Sequence, residues 1–534
     1  MKILNATLDK FKTLRRQEPQ IIEARDKIFL YDSNSMLLSE VKKDEMKGLN
    51  AQELCTEEAP YWELPETPRW KSYIVFQATY ACNLACNYCF VKHHYPDHTN
   101  SLDFKTAVDA LQHYQGNWRE NGFHIGFFGG EPLMNWELIY TLVEWCKKQA
   151  VSVNNDCIKR CTWHITTNGT LITEEIAQYL AENNFSLIIS LDGCEEDHNE
   201  ARPYAGENKN NSWKDTMRGL EFVATAFKRL GKRSSVTLRS TFDKNGCDLV
   251  ARLKFLNQLM YDGKAGHVSV EPSCLAESCS RESFEGLNED EIRAKFQEQY
   301  FKAADWFLAE IRAGRKPSFH HFEVPLQRLY DREAAPSECG AGKGYISVGP
   351  GGKIAACHRE HESVVGNMYD GLDKTKLAAW NDNRYFNRTG CNECWLRNFC
   401  GGGCRCNSAL LYKNLTTPSK VECVFREMQT KAVMWLMSEM QEKEKRKFSK
   451  SYGQFDCVYP WKVEPAKPCS DPNNCQPCRE KLQTQNKQIL GQPNKQQAAC
   501  GLRVCEGEHC PFTHCGKQTP EEFQAGLKKI NERK

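Results

Sequence analysis

The sequence has no long block of one charge sign and no long hydrophobic run. The 71 Lys and Arg residues nearly balance the 69 Asp and Glu residues, and the most basic stretch, residues 443–447, is short. This balance gives no sign of a nucleic-acid surface. No apolar stretch is long enough to cross a bilayer, and the first ten residues lack the apolar core of a signal peptide. We therefore expect a cytoplasmic protein with no nucleic-acid or membrane partner.

Cysteine, by contrast, is abundant, with 27 in 534 residues. Cytosolic thiols stay reduced, so these cysteines are not expected to form a disulfide framework. Most of them fall into three groups along the chain, which favours metal or cluster ligation. A chain of this length also has room for about two to four domains and a large core.

Between Trp70 and about residue 272, six apolar strand candidates alternate with helical patterns. Repeated strand–helix units predict a parallel sheet, and six units are too few for a closed eight-stranded barrel. We therefore predict an α/β fold, a partial (βα)6 TIM-like barrel with its chemistry at the carboxyl ends of the strands. The predicted strands are Ser72–Thr79, His124–Phe128, Thr162–Thr167, Phe185–Ser190, Ser235–Phe242 and His267–Glu271.

The rest of the chain divides around this barrel, which is assigned to residues 71–285. Residues 1–70 are predicted to form a small α+β unit, with a hairpin in residues 27–40 that turns at Asp32 to Ser35. Residues 286–338 are a connector with a helix from Glu289 to about Ile311. Residues 339–430 hold the second cysteine group, and residues 431–534 are a charge-rich amphipathic helix followed by a polar, cysteine-rich tail.

The most informative motif is a C-x3-C-x2-C triplet, Cys82, Cys86 and Cys89, directly after the first predicted strand. Three thiolates on one tight loop can hold three irons of a cubane iron-sulfur cluster, which leaves the fourth iron open for a substrate. The alternative is a zinc knuckle or a purely structural cluster. Zinc sites usually take four N or S ligands in C-x2-C pairs, which this spacing does not supply.

The triplet resembles that of the radical S-adenosylmethionine (radical SAM) enzymes. The resemblance implies that the open iron chelates S-adenosylmethionine, and that an electron from the cluster cleaves it to a 5'-deoxyadenosyl radical. The radical takes a hydrogen atom from a substrate, so the cofactor performs the difficult chemistry and the protein positions it. The resemblance also implies reduced flavodoxin or ferredoxin as the electron donor.

Motifs at the ends of later strands resemble those that hold S-adenosylmethionine in this family. The Gly-Gly-Glu motif after the second strand allows a close backbone approach and would meet the methionine amino group. A Ser-x-Asp motif with a later Arg resembles ribose or methionine contacts, and a strand Arg would pair with the methionine carboxylate. Taken alone, the Gly-Gly-Glu motif could be an ordinary turn, and the strand Arg could form a surface ion pair. The residues are Gly129, Gly130, Glu131, Ser190, Asp192, Arg202 and Arg239.

The second cysteine group reads C-x12-G-x4-C, a gap, C-x2-C-x5-C-x3-C, a gap and a final C. This pattern resembles the SPASM extension of radical SAM enzymes that modify peptides and proteins. The resemblance implies two auxiliary [4Fe-4S] clusters in addition to the radical SAM cluster. One would use Cys391, Cys394, Cys400 and Cys423, and the other Cys339, Cys357 and Cys404.

The three-cysteine cluster could have an open iron, because residues 280–338 contain no further cysteine. A substrate thiolate is a suitable ligand for such an iron, as the resemblance to thioether-forming maturases implies. Alternatively, His320, His321 or Cys406 closes the cluster. His358, next to a cluster ligand, could act as an acid or base or as a hydrogen-bonding neighbour of the cluster.

The two ends of the chain also leave alternatives open. The N-terminal unit resembles domains that capture a precursor's leader peptide as an added strand, or it is a structural cap on the barrel. Eight cysteines from Cys457 to Cys515 lie in the tail. They favour an extra metal or cluster site, although a substrate-like segment or a disordered thiol-rich tail would have the same composition.

Together these features predict a radical SAM SPASM maturase that modifies a ribosomally made peptide, with a cysteine thioether crosslink as the first choice. The alternatives in the same class are an anaerobic sulfatase-type enzyme that forms formylglycine, and a carbon–carbon-forming or epimerising peptide maturase. An alternative from another class is a non-catalytic iron-sulfur redox sensor. The intact Gly129, Gly130, Glu131 and Arg239 argue against the sensor, since a sensor needs no cosubstrate pocket.

Overall fold

The computed structural model describes residues 19–43, 73–89, 100–114, 124–152, 161–207, 210–242, 248–273, 287–335, 339–359, 363–382 and 384–449. The tail cysteines lie outside the described residues, so the structure tests none of the three interpretations given for them.

The N-terminal part of the described chain is an antiparallel sheet of three strands, β1 (Gln20–Ala24), β2 (Lys27–Asp32) and β3 (Leu37–Val41). The predicted hairpin corresponds to β2 and β3, which pair from Ile28 with Val41 to Asp32 with Leu37. The hairpin and its turn are confirmed. The additional strand β1 pairs with β2 on the other side.

Six parallel strands follow one another across the main sheet in chain order, as predicted. Their bounds differ from the predicted ones by at most one residue. This arrangement confirms the α/β class and the six-stranded parallel core. The strands are β4 (Tyr73–Thr79), β5 (His124–Gly129), β6 (Thr162–Thr167), β7 (Phe185–Ser190), β8 (Val236–Phe242) and β9 (His267–Pro272).

The two faces of this sheet differ in burial. In β7, Phe185, Leu187 and Ile189 are buried, whereas Ser186, Ile188 and Ser190 between them are partly exposed. Successive side chains of a strand point to opposite faces, so the buried set packs against the helices. The partly exposed set lines the other face, and that face is available for a ligand.

Helices connect and cover the strands. Before the second cysteine group these are α1 (Phe104–Tyr114), α2 (Trp136–Ser152), α3 (Glu174–Glu182), α4 (Glu195–Ala201), α5 (Ser212–Arg229), α6 (Leu249–Tyr261), α7 (Glu289–Arg312) and α8 (His320–Asp331). The connector helix α7 begins at a capping box, in which Asn288 and Glu291 satisfy each other's backbone N–H groups. Among the helices in the described ranges, none is both long and apolar enough to span a lipid bilayer.

The second cysteine group continues the main sheet. Strand β10 (Ile346–Val348) pairs in parallel with β4, and the antiparallel strands β11 (Lys353–Ala355), β12 (Val364–Asn367) and β13 (Gly371–Leu372) follow it outward. The sequence analysis did not predict this extension. It places Cys357 just beyond a strand of the sheet that also carries the triplet loop.

Five further helices complete the described chain: α9 (Lys374–Asn381), α10 (Arg397–Cys400), α11 (Arg405–Tyr412), α12 (Lys420–Glu439) and α13 (Glu442–Lys445). Short 3-10 turns lie at Pro132–Asn135, Pro350–Gly352, Tyr385–Asn387 and Arg446–Phe448. Helix α12 begins about ten residues before the predicted start near residue 430. The Ser419 side chain caps it by accepting from the Glu422 N–H, so Cys423 lies within its first turn.

The end of β5 touches the backbone that leads into the triplet loop. A Cβ atom on Gly130 would lie 2.2 Å from the Ala81 carbonyl oxygen and 2.5 Å from that of Tyr80. We expect Gly130→Ala to lower the free energy of unfolding by about 3 kcal/mol, because backbone atoms would have to shift. Chemical denaturation would measure the change. Gly206→Ala is the control: Gly206 has a positive φ but open space around it, so about 1 kcal/mol is expected. An equal loss of unfolding free energy in the two variants would contradict the view that contact with backbone oxygens sets the cost at Gly130.

Candidate active site

The loop with Cys82, Cys86 and Cys89 lies at the carboxyl end of β4, the position predicted for barrel chemistry. Backbone hydrogen bonds hold it against the segment that follows α4. Ala85 N donates to Pro203 O at 2.8 Å, and Asn87 N donates to Ala201 O at 3.0 Å. The loop is therefore positioned by main-chain contacts that do not depend on the thiols.

Nitrogen donors surround the triplet thiols. Arg202 Nη1 lies 3.9 Å from the buried Cys86 Sγ, and Asn168 Nδ2 lies 4.0 Å from Cys82 Sγ. Burial raises the pKa of Cys86 to about 12, with Arg202 acting in the opposite direction. Cluster ligands must be thiolates, so donors placed at sulfur suit a bound cluster. In the described residues no three Cys, His, Asp or Glu side chains already converge on one ion position. Each thiolate of an iron-sulfur cluster binds a different iron, so the lack of a single-ion site is compatible with a cluster.

Gly129 and Gly130 fit the protein's own backbone. A Cβ on Gly129, which has φ +138°, would lie 2.1 Å from Thr79 O. Gly130 N donates to the same oxygen at 2.8 Å. The glycine pair is thus required by the junction of β4 with β5. The sequence analysis gave a ligand as the reason for the close approach, and the described structure supplies a different reason.

Glu131 is completely buried, and its carboxylate bridges two strand ends. Oε1 accepts from Leu133 N and from Thr167 Oγ1, at 3.0 and 2.7 Å, and Oε2 accepts from Asn168 N at 2.7 Å. Burial raises the pKa of Glu131 to about 7, against the effect of these donors. Three of its acceptor positions are occupied, and a methionine amino group would have to share this carboxylate.

Asp192 and Arg202 form a buried ion pair beneath the triplet loop. Arg202 Nε donates to Asp192 Oδ2 at 2.8 Å, and Thr241 N donates to Oδ1 at 2.7 Å. The Tyr88 hydroxyl also bonds to the Asp192 carboxylate. Asp192 has no exposed surface. The structure thus brings these two predicted residues together as a support that joins the loop to β7 and β8.

Ser190 and Arg239, by contrast, face the open side of the sheet. They are paired in register on neighbouring strands, and both are partly exposed. Arg239 Nη2 lies 3.5 Å from Glu271 Oε1 at the end of β9. Of the residues predicted to contact S-adenosylmethionine, only Ser190, Arg239 and Gly130 are partly exposed, and Ser190 and Arg239 are the two of these with a side chain that a ligand can reach.

Glu271 belongs to a hydrogen-bonded chain that the sequence analysis missed. His321 Nε2 lies 2.7 Å from Glu271 Oε2, and the other ring nitrogen lies 2.7 Å from the hydroxyl of the buried Tyr300. Burial works against the charge of Glu271, but His321 and Arg239 hold its pKa well below the usual range. These residues lie on three elements far apart in sequence, and no local motif marks them.

His358 lies between the two cysteine regions. Its ring is 4.7 Å from that of Phe128 on β5, its Nδ1 is 2.9 Å from the Tyr345 hydroxyl, and its carbonyl accepts from Gln77 Nε2 on β4. Burial lowers the pKa of His358. His358 thus contacts β4 and β5 of the barrel as well as Tyr345, the residue before β10.

Two of the cysteines assigned to the three-thiol cluster, Cys357 and Cys404, lie next to Arg359. Its Nη1 lies 4.0 Å from Cys404 Sγ, and its backbone N lies 3.4 Å from Cys357 Sγ. A hydrogen bond from the Cys406 thiol lowers the pKa of Cys357, and both side chains are buried. Of the three alternative fourth ligands, Cys406 is thus beside a cluster cysteine, whereas His321 is engaged by Glu271 and Tyr300.

The four cysteines assigned to the other auxiliary cluster line one cavity of about 320 Å³. Cys391, Cys394 and Cys400 come from the loop around α10, and Cys423 comes from the start of α12. Their side chains share this cavity with the basic residues Arg293 and Lys420. The acidic Glu422 and Glu427 also line the cavity, and Glu427 pairs with Arg293, so the lining has charges of both signs. The four soft thiols are the feature that fits an iron-sulfur cluster.

Comparison with known proteins agrees with this geometry. Residues 76–242 match the model of the Radical SAM superfamily. The chain is 25% identical over 363 residues to the radical SAM cyclopropyl synthase TigE of Paramaledivibacter caminithermalis, covering 64% of this chain and 69% of that protein. It is 31% identical over 160 residues to a cysteine-type anaerobic sulfatase-maturating enzyme of Clostridium novyi, covering 28% of this chain and 40% of that protein.

A solved structure, anSMEcpe with bound AdoMet, superposes with a TM-score of 0.53 at 20% identity, covering 71% of this chain and 97% of that one. This likeness shows the fold. The parallel sheet, the cysteine loop at its carboxyl edge and the family match together define a radical SAM domain. The chain contains that domain, and the resemblance stated from the triplet is confirmed.

The buried ion pair gives a testable prediction. Replacing Asp192 by Asn leaves Arg202 buried without its countercharge, which we expect to cost about 3–5 kcal/mol of unfolding free energy. Asp305→Asn is the matched control, because Asp305 pairs with Arg25 at the surface, where the cost is at most about 1 kcal/mol.

The pH dependence of this difference checks its origin. Burial alone would raise the pKa of Asp192, but Arg202 and Arg252 hold it below the ordinary value. A carboxyl with a lowered folded pKa stabilises the fold above its unfolded pKa, about 3.9. That stability is lost as the pH falls through the folded pKa. Urea unfolding at several pH values should show the cost shrinking below about pH 4; a cost independent of pH would contradict the ion-pair account.

Proposed function

We propose that the protein is a radical SAM maturase that modifies a ribosomally made peptide. The observation that carries this proposal is the C-x3-C-x2-C loop at the carboxyl end of β4, within the region that matches the Radical SAM superfamily. With a cluster and S-adenosylmethionine bound, this site would supply a 5'-deoxyadenosyl radical. The protein's own residues hold the loop, exclude water and orient the two ligands.

The described contacts indicate a separate role for each of these residues. Cys82, Cys86 and Cys89 would hold the cluster, and Arg202 at Cys86 would offset the negative charge of the thiolates. Arg239, partly exposed and beside Ser190, is suited to a carboxylate such as that of S-adenosylmethionine. A ligand carboxylate there would compete with Glu271 for the guanidinium.

The proposal includes two auxiliary clusters. The cavity with Cys391, Cys394, Cys400 and Cys423 supports the four-thiol one. For the other, Cys406 beside Cys357 supports a fourth protein ligand, in place of an open iron, next to Cys339, Cys357 and Cys404. This point bears on the chemistry, because a closed cluster transfers electrons but does not bind a substrate thiolate.

The peptide partner is proposed from the relatives and from the N-terminal sheet. Within the described residues, β1 and β3 each have one edge that pairs with no other strand. An open edge is suited to an added leader strand. Reduced flavodoxin or ferredoxin remains the proposed electron donor.

Two observations bear on the choice of reaction. The sulfatase-maturating relative supports formylglycine formation as much as the cysteine pattern supports a thioether crosslink. The glycine pair is no longer an argument against the redox sensor, because Gly129 and Gly130 serve the fold itself. The exposed Arg239 still argues against a sensor.

The first test is cleavage of the cosubstrate. The anaerobically reconstituted protein, given S-adenosylmethionine and dithionite, should form 5'-deoxyadenosine, which mass spectrometry measures. Cys82→Ala should abolish its formation, because the loop then lacks a cluster ligand. Cys194→Ala, which removes an exposed cysteine outside the predicted cluster sites, should retain it. Cluster-loaded wild type that forms no 5'-deoxyadenosine would favour the sensor.

The second test concerns the bond formed. The probe is a cysteine-rich peptide encoded beside the gene for this chain. A thioether product retains its sulfur, lacks two hydrogen atoms relative to the substrate, and has one cysteine that iodoacetamide no longer alkylates. The deoxyadenosyl radical takes one hydrogen atom from carbon, the cysteine thiol loses its proton to solvent, and the remaining electron would pass to an auxiliary cluster as the carbon–sulfur bond forms. A peptide with that cysteine replaced by Ala should stay unmodified. A product that has lost sulfur would establish formylglycine formation in place of the thioether.

A further inference from the structure

The turn between β2 and β3 is unusual because its polar residues are buried. Asp32, Ser33, Asn34 and Ser35 all have less than a tenth of their surface exposed. Asp32 accepts from the Asn34 N–H at 3.0 Å and from the Ser35 hydroxyl at 2.6 Å, which makes the turn rigid. Most hairpin turns lie in solvent. A buried one must be covered by another part of the protein.

The covering element is the loop that carries Cys391, Cys394 and Cys400. Arg397 Nη2 donates to Asn34 Oδ1 at 2.5 Å, and Asn398 Nδ2 donates to Ser33 O at 2.7 Å. The Tyr31 ring meets that of Trp395 edge to face at 5.9 Å. All three partners lie between Cys394 and Cys400. The turn therefore packs against residues 395–398, which lie between two cysteines of the cavity lining.

The same sheet also contacts the helix that supplies the fourth thiol, at residues beyond those that line the cavity. Helix α12, which carries Cys423, donates from Trp435 Nε1 to Asp26 Oδ1 at 3.1 Å. Lys27 Nζ lies 2.9 Å from Glu439, and the Arg25 guanidinium lies 4.7 Å from the centre of the Trp435 ring. One small sheet therefore holds both elements that supply the four thiols.

The loop's own structure is a series of turns, in which Cys394 N donates to Cys391 O and Arg397 N donates to Cys394 O. Within it the only helix is α10, a single turn of four residues. Arg397 links the two attachments, because its Nη1 donates to Asn392 O at 2.9 Å while its Nη2 reaches Asn34. A loop of this kind depends on its neighbours for its geometry.

We propose that the N-terminal sheet is a clamp that sets the geometry of the four-thiol cavity, with Asn34 and Trp435 as its positioning residues. This inference rests on the auxiliary cluster proposed above. It assigns to the sheet a task other than peptide capture. A strand added to the edge of this sheet would therefore bind to the unit that contacts both cysteine-bearing elements of the cluster site.

The test uses the full chain with Cys82, Cys86 and Cys89 replaced by Ala, so that the triplet site binds no iron. After reconstitution, iron release to excess EDTA is followed by absorbance, and the reduced cluster is recorded by electron paramagnetic resonance. Replacing the four cysteines Cys391, Cys394, Cys400 and Cys423 together by Ala should lower the iron content by about four atoms per chain. If it removes no iron, the proposed auxiliary cluster itself fails, and the clamp fails with it.

Asn34→Ala and Trp435→Phe remove one hydrogen-bonded contact from each side of the clamp. Each should speed iron release about tenfold, as expected for a lost hydrogen bond to a charged or buried group. Each should also shift the resonance of the reduced cluster. Ile21→Ala, at an exposed position of the same sheet, is the matched control and should leave both readouts unchanged.

Hydrogen exchange separates the clamp from general destabilisation. In Asn34→Ala the amides of residues 392–400 should exchange faster, while those of β4 to β9 keep the rates of the parent chain. With the cysteine triplet restored, Asn34→Ala should form 5'-deoxyadenosine at the wild-type rate. Iron release and a resonance signal equal to those of the parent chain would refute the clamp, and the auxiliary cluster would stand.

Discussion

The ion pair of Asp192 with Arg202 is the interaction on which the arrangement of the triplet site depends. A fully buried carboxylate is stable as an anion only when donors satisfy it, and here Arg202, Tyr88 and the Thr241 amide do so. Tyr88 lies inside the cysteine loop, Asp192 follows β7, and Thr241 is on β8. A single carboxylate thus fixes the loop to two strands, and the same arginine extends to Cys86.

The strands could be predicted from sequence because each is a short apolar run that ends in Gly, Pro, Asn or Asp. Residue roles were harder to assign. Gly129 and Gly130 are spaced as in a ligand-binding motif, yet the atoms that exclude a Cβ are backbone oxygens of residues 79–81. Asp192 and Arg202 were assigned to the cosubstrate, but their mutual pairing depends on the turn after β7. A sequence pattern shows which residue types occur at a site, but it does not show which atoms each side chain contacts.

Two features of the second cysteine region went unpredicted for different reasons. The early start of α12 had a local signal, since Ser419 and Glu422 have the spacing of a helix cap. The pairing of β10 with β4 had none, because a three-residue strand about 270 positions away leaves no periodic pattern. The grouping of Cys391, Cys394, Cys400 and Cys423 was predicted through the family resemblance, and the shared cavity agrees with it.

The pairing of β10 with β4 also constrains how the two cysteine regions can cooperate. Gln77 on β4 bonds to Ser347 on β10 and to the His358 carbonyl, so the connection between these two strands is polar as well as apolar. Buried hydrogen bonds of this kind resist sliding, because any shift would leave a polar atom unsatisfied. The Cys357 region is therefore held rigidly against the strand from which the triplet loop emerges. The sheet itself thus fixes the position of the Cys357 region relative to the triplet loop.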